Sequence, residues 1–447
     1  MNTFTHSHPI ATLRLMALLV MSAAVASCES AQAPDDYLVW AMNAGGAAYT
    51  GVDGTRFDAE SSIEGGTIGT LDVIKGSQDA GLYEQYRRGD ITVARKLANG
   101  TYDVTFHFAE PDEIGGGERV FDAIIEGNVV IDDLDIVRDR DGKTLSALTV
   151  TVTDVAVLDG ELSIEFDASA GEPVLSALLV RNRNRPAHDW KLVWSDEFDY
   201  AGAPDPNKWE IDVWPARVVN DEDQAYTARD TNLRVEDDHL VIEAHKEKFD
   251  NADFTSARIH TRGKGDFLYG RFEVRAKLPE GMGTWPAIWM LPSDPFRYAT
   301  KCKEGDTWQG SADCDAWPNS GEIDIMEHVG YQMGHVHGTV HNEAYYWAKW
   351  EQRKGRVLVD DVADDFHVYA LEWSPERIDA FLDDTLYFTY VNENNGWQSW
   401  PYDHPFHLIL NIAVGGMWGR AGGGIDSDVF PQTMLVDYVR VFERASP

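Results

Sequence analysis

Ser320-Gly321-Glu322-Ile323-Asp324-Ile325-Met326-Glu327-His328-Val329-Gly330 reads SGEIDIMEHVG, and its spacing governs how the rest of the chain is read. Ile323, Ile325 and Met326 belong to a packed β-strand, yet three carboxylates stand among them. Alternate residues of a strand share a face, so Glu322 and Asp324 point the same way. Glu327 comes three residues later and falls on the opposite face unless one extra residue is inserted. A β-bulge near Ile325-Met326 supplies that residue and returns Glu327 to the acidic face, and bulges concentrate beside active sites. Two carboxyl groups flanking a bond, with a third tuning them, suit glycosidic bond hydrolysis. Repulsion among the three raises the pKa of the one that keeps its proton.

The surroundings support a strand reading. In FLYGRFEVRAKL, Phe272, Val274, Ala276 and Leu278 alternate with Arg271, Glu273, Arg275 and Lys277, the pattern of a half-buried strand. RIDAFLDDTLYFTYV reads as two strands turning at Asp383-Asp384, and HLILNIAVGG and LVDYVRVFE as further strands. No long helical period stands out. The expected fold class is all-β, with a β-jelly-roll sandwich whose concave face can hold a polymer. Of the 15 tryptophans only Trp40 precedes residue 186, so composition divides the chain. The polar stretch Arg181 to His188 has linker character. The expected units are therefore 37–183 and 190–447, joined by 184–189.

A net charge of −37 excludes nucleic-acid binding as a plausible function and disfavours polyanionic substrates at long range. At the N-terminus Arg14 precedes an apolar run, Leu15 to Ala26, too short to span a bilayer. Val25-Ala26-Ser27-Cys28 resembles a bacterial lipobox, in which Cys28 is lipidated and begins the mature chain. That implies a signal peptide over 1–27, a short linker over 28–36, and a cell-envelope protein whose only membrane contact is a lipid anchor. The alternative is an ordinary cleaved leader and a secreted protein. Cys302 and Cys314 are then left either as a bridge across KEGDTWQGSAD or as two free thiols.

SGEIDIMEHVG, together with LVWSDEF, SARIHTRGK, YGRFEVRAKLP, GTWPAIWMLP, HGTVH, DFHVYALEW and VDYVRVFE, resembles glycoside hydrolase family 16 in its bulged, laminarinase-like form. The resemblance covers most of Trp190 to Glu443. It implies a retaining double displacement, with Glu322 as nucleophile, Glu327 as acid/base and Asp324 between them. It also implies a β-1,3-glucan substrate, with Met326 arguing against strict mixed-linkage specificity. Substrate-binding positions carried over are Asn220, Glu222, Arg258, Trp285, Trp289, His341 and Trp418, with Trp285 and Trp289 on the donor side. Where relatives often have another glycine, this chain has Arg420. A structural calcium is implied at Glu197, Asp238 and Asp437, with Asp238 in the place of a usual glycine. No cofactor is implied for catalysis, and a monomer is expected. Two readings stay open beside this one. One is a galactan hydrolase of agarase or carrageenase type. The other is a non-catalytic β-glucan-binding lipoprotein, which typically lacks one or more of the acids.

MNAGGAAYTGVDGTRFDAE, GLYEQYRRG, NGTYDVTFHFAE and ERVFDAIIEGNVVIDDLDI resemble a malectin-like carbohydrate-binding β-sandwich. Tyr49, Tyr83, Tyr86 and Phe108 are its candidate sugar contacts. Because the acids and the Trp-rich segments all follow the linker, this domain is expected to act as an accessory that tethers the enzyme to polymer.

Overall fold

The computed structural model describes residues 37–59, 62–183 and 190–444. The leader, Cys28 and the linker 184–189 lie outside the described residues. Among the described residues no helix is long and apolar enough to cross a membrane.

The elements that build the site are β1 (Asn128–Leu134), α1 (Ile136–Asp139), β2 (Ala147–Val157), β3 (Arg258–His260), β4 (Thr284–Pro292), β5 (Glu322–Glu327), β6 (His335–His341), β7 (Arg353–Leu358) and β8 (Phe406–Val414). One 12-stranded sheet contains the sequence of neighbours β2-β7-β6-β5-β4-β8-β3. A 10-stranded sheet, including Gly270–Lys277, His367–Trp373, Arg377–Leu382 and Gln432–Arg444, packs on the catalytic part of it. Ile323, Ile325, Met326, Val274, Leu371 and Val439 share the core between these layers. The N-terminal domain stacks a 6-stranded sheet on the other end of the large sheet. Phe106, Phe108, Phe121, Val150 and Ile164 fill this second core. The jelly-roll and sandwich expectations are both met.

The bulge lies where the spacing puts it. Asp324 pairs Thr339 and Glu327 pairs His337, so three steps on β5 match two on β6. Ile325 and Met326 therefore both face the core and Glu327 returns to the concave side. The opposite sheet buttresses the irregularity, since the Tyr387 hydroxyl donates to the Ile325 carbonyl. Tyr387 can come this close because Gly338 and Gly355 sit opposite each other in β6 and β7. A Cβ on Gly355 would lie 2.2 Å from the Tyr387 carbonyl oxygen.

One feature departs from the sequence expectation. The two domains share a main-chain ladder: β7 pairs β2 in parallel, with Arg356, Val357 and Leu358 opposite Val150, Thr151 and Val152. A linker does not hold them as separate bodies, because the N-terminal domain extends the catalytic sheet and covers its edge. Pattern reading could not show this. A strand edge covered by another domain has the same alternation as one covered by solvent.

Candidate active site

The concave face is a cleft of about 1580 Å³. Its floor is set by pleat and register. Glu322, Asp324 and Glu327 on β5 stand opposite His341, Thr339 and His337 on β6. Lys354 and Arg356 on β7 continue the rows from Thr339 and His337.

Each glutamate accepts one indole N–H. The Trp317 indole N–H donates to Glu322 Oε2 at 3.0 Å, and the Trp285 N–H to Glu327 Oε1 at 3.0 Å. Asp324 is buried, and its Oδ2 lies 3.5 Å from His341 Nε2, which is also 3.7 Å from Glu322 Oε1. Burial pushes all three carboxyls up, because a low-dielectric site disfavours charge. Glu322 rises to about 8 from burial and then from the neighbouring Glu327 charge. Glu327 rises to about 7 from burial, while the Trp285 N–H and the Lys354 ammonium pull it down. Asp324 is held well above the usual range by burial and by both glutamates. Burial and then Lys354 lower His341 to about 3, so it meets the acids as a neutral imidazole. Burial thus favours the protonated form of a carboxyl in this site, which a general acid needs.

The remaining expected positions converge on the same cleft. Glu222 is buried and held by Asn220, Gln224 and Tyr226 at 3.2, 2.7 and 3.2 Å. Arg258 is buried between the rings of Trp214 and Trp289, at 4.5 and 4.8 Å, and pairs Asp212 at 3.0 Å. Trp289 donates to Asn411 Oδ1 at 2.7 Å. Trp418 meets Trp285 edge-on at 5.6 Å and His337 at 5.2 Å. Arg420, the residue out of pattern, bridges two loops: it pairs Asp221 and Asp223, both at 2.9 Å, and so pins the Trp418 loop to Asn220 and Glu222.

Several residues were missed from sequence. Trp317 carries the N–H on Glu322 but lies outside any regular strand pattern, so spacing gave no signal. Asn411 did leave one, as the polar position inside the apolar run HLILNIAV. Lys354 depends on the β6–β7 register, which only the fold shows.

Other candidates sit elsewhere. Cys302 and Cys314 form a disulfide, with Cα atoms 5.1 Å apart. Asp238 occupies a left-handed turn position, with φ of 58°, between two paired strands. Glu197 accepts from Arg440 and Asp437 from Arg275, at 2.7 and 2.6 Å. With both carboxylates already paired to arginines, the donor set as placed does not fit a calcium ion. In the N-terminal domain Tyr83, Tyr86 and Phe108 are buried in packing. Tyr49 is half-buried and bonds Asp79 at 3.0 Å.

Comparison with known proteins agrees with this geometry. Residues 38–178 match the family model described as Malectin domain, and residues 220–439 match that of Glycosyl hydrolases family 16. A beta-glucanase of Rhodothermus marinus is 51% identical over 272 residues, covering 60% of this chain and 90% of that protein. A keratan-sulfate endo-1,4-beta-galactosidase of Sphingobacterium multivorum is 33% identical over 283 residues, covering 62% of this chain and 59% of that one. The X-ray structure of the laminarinase from Rhodothermus marinus is 49% identical, with a TM-score of 0.52, covering 58% of this chain and 100% of that one. A jelly roll with three acids on its bulged central strand, matched at this identity along nearly the whole of a relative, makes this chain a member of glycosyl hydrolases family 16, with a malectin domain ahead of its catalytic domain.

Proposed function

We propose that the protein is a retaining endo-β-1,3-glucanase. The observation that carries this reading is the bulged β5, which sets Glu322, Asp324 and Glu327 on one face of a tryptophan-lined cleft. The beta-glucanase and laminarinase relatives support the substrate class. In this reading a glucan chain lies across the strands. Glu322 attacks the anomeric carbon as its carboxylate while Glu327 gives its proton to the leaving oxygen, forming a glycosyl-enzyme ester and freeing the acceptor chain. Glu327, now ionised, takes a proton from water, whose oxygen displaces Glu322. The Trp317 N–H holds Glu322, and neutral His341 stands 3.7 Å from it and 3.5 Å from Asp324. The roles rest on position along the strand.

Incubation with laminarin, lichenan, agarose and carrageenan, followed by product analysis, tests the substrate. Laminari-oligosaccharides from laminarin are the expected products. Activity confined to the galactans would favour the second reading, for which the galactosidase relative speaks. Loss of all cleavage in the wild type would favour a glucan-binding lipoprotein. We also propose the cell envelope as its location, through a lipid on Cys28. Metabolic labelling with a tagged fatty acid, lost in Cys28→Ser, tests this. Calcium at Glu197, Asp238 and Asp437 requires the ion to displace Arg440 and Arg275. Thermal melting with and without a chelator tests it, and a drop of several degrees would show that the exchange takes place.

A further inference from the structure

The parallel ladder between β7 and β2 fixes what the N-terminal domain does to the cleft. Cross-strand partners share a face, and one row of the sheet reads Glu327, His337, Arg356, Val150. Glu327 and Arg356 line the cleft and His337 lies between them, packed against Trp418, whereas Val150 is core of the N-terminal sandwich. The 6-stranded sheet therefore covers the same side of the large sheet that the cleft opens on. It rises as an end wall three strand spacings, or roughly 14 Å, from the acids. Asp132, Asp133, Asp139, Asp141 and Gly142, from β1, α1 and the turn after it, line this end of the cleft.

The wall is clamped in place. Asp139 accepts from the fully buried Arg356 at 2.8 Å and from Gln332 at 3.0 Å. Next to it two tryptophans of the catalytic domain are left exposed on the cleft lining: Trp347 at 41% and Trp350 at 39%. Trp350 sits at φ 59°, in the left-handed region that bulky residues rarely adopt. Lys143 of the N-terminal domain places its ammonium 3.9 Å from the Trp350 ring centre and so orients it. An exposed aromatic flanked by acids and amides is the chemistry that stacks on a sugar ring and bonds its hydroxyls.

We propose that the two domains together form an acceptor-side glucan subsite, with Trp350 and Trp347 as platforms, oriented by Lys143 and closed by the Asp139–Arg356 wall. It rests on the β-1,3-glucanase reading, in which Trp285 and Trp289 line the donor side and β6 and β7 lie toward the acceptor. The malectin domain is then part of the substrate cleft and limits how many acceptor sugars it admits.

The test uses the full mature chain, with Trp350→Ala, Trp350→Phe and Lys143→Ala compared on laminarin and on an aryl β-laminaribioside. The aryl group of the latter reaches only the first acceptor position. For Trp350→Ala the expected result is a roughly tenfold fall in kcat/KM on laminarin, mostly in KM, with less than a twofold change on the aryl substrate. Trp350→Phe should recover most of the loss, and Lys143→Ala should fall between them. Equal falls on both substrates, or none on laminarin, would overturn the subsite. Wild-type protein that cleaves neither substrate would instead refute the glucanase reading, and the subsite with it.

Discussion

At the residue scale the site is three buried acids with too little water to ionise together. Glu322→Gln removes the attacking oxygen, and turnover should fall below detection while laminari-oligosaccharide binding persists; calorimetry beside a reducing-sugar assay checks both. Glu327→Gln removes the proton donor and should cost about 10²–10⁴ in kcat. The same acids oppose stability. Their folded-state pKa values, about 8 and 7, stand above the ordinary carboxyl value. The stabilising protonated form is thus fully present below about pH 4.5, the unfolded value, and is lost as pH rises through 7 and 8. Glu322→Gln and Glu327→Gln should therefore gain melting temperature over wild type as pH rises across that window. A difference that is constant from pH 4.5 to 8.5 would contradict the burial argument. These acids were legible because carboxylates in an apolar strand are costly and so conspicuous. Trp317 and Lys354 were not, since their value lies in contacts that the fold makes.

At the element scale the bulge decides the chemistry. Its extra residue leaves the Ile325 carbonyl to be satisfied from the opposite sheet, by the Tyr387 hydroxyl. Tyr387→Phe leaves that buried acceptor without its partner and should cost about 1–3 kcal/mol in denaturant unfolding. If the hydroxyl also holds β5 in shape, kcat should fall with KM little changed. A variant as stable and active as wild type would show that the bulge holds itself. The bulge could be read from sequence because period-2 alternation fails at one place, between Asp324 and Glu327. Its buttress could not, because Tyr387 lies on the other sheet, 62 residues along the chain from Ile325.

At the scale of the whole molecule, the fold class and the two cores followed from alternation and from the skew of tryptophan toward the C-terminal part. The joining of the domains did not. The tether expectation treats the catalytic part as a separate body, but the ladder argues otherwise. A fragment spanning 190–447 exposes the β7 edge and leaves buried Arg356 without Asp139. The fragment loses that pair together with the ladder, and an open strand edge invites association. The fragment should melt lower than the full chain and associate on size-exclusion chromatography; a monomer as stable as the full chain would restore the tether picture. Asp139→Asn in the full chain should show part of the same loss. The account as a whole stands on a double displacement by Glu322 and Glu327, and the stereochemistry of the reaction reports on it directly. Proton NMR of laminari-oligosaccharide cleavage, recorded before mutarotation, is expected to show the β-anomer of the new reducing end first, with the α-anomer growing in later. An α-anomer formed first would contradict the mechanism and the roles given to both acids.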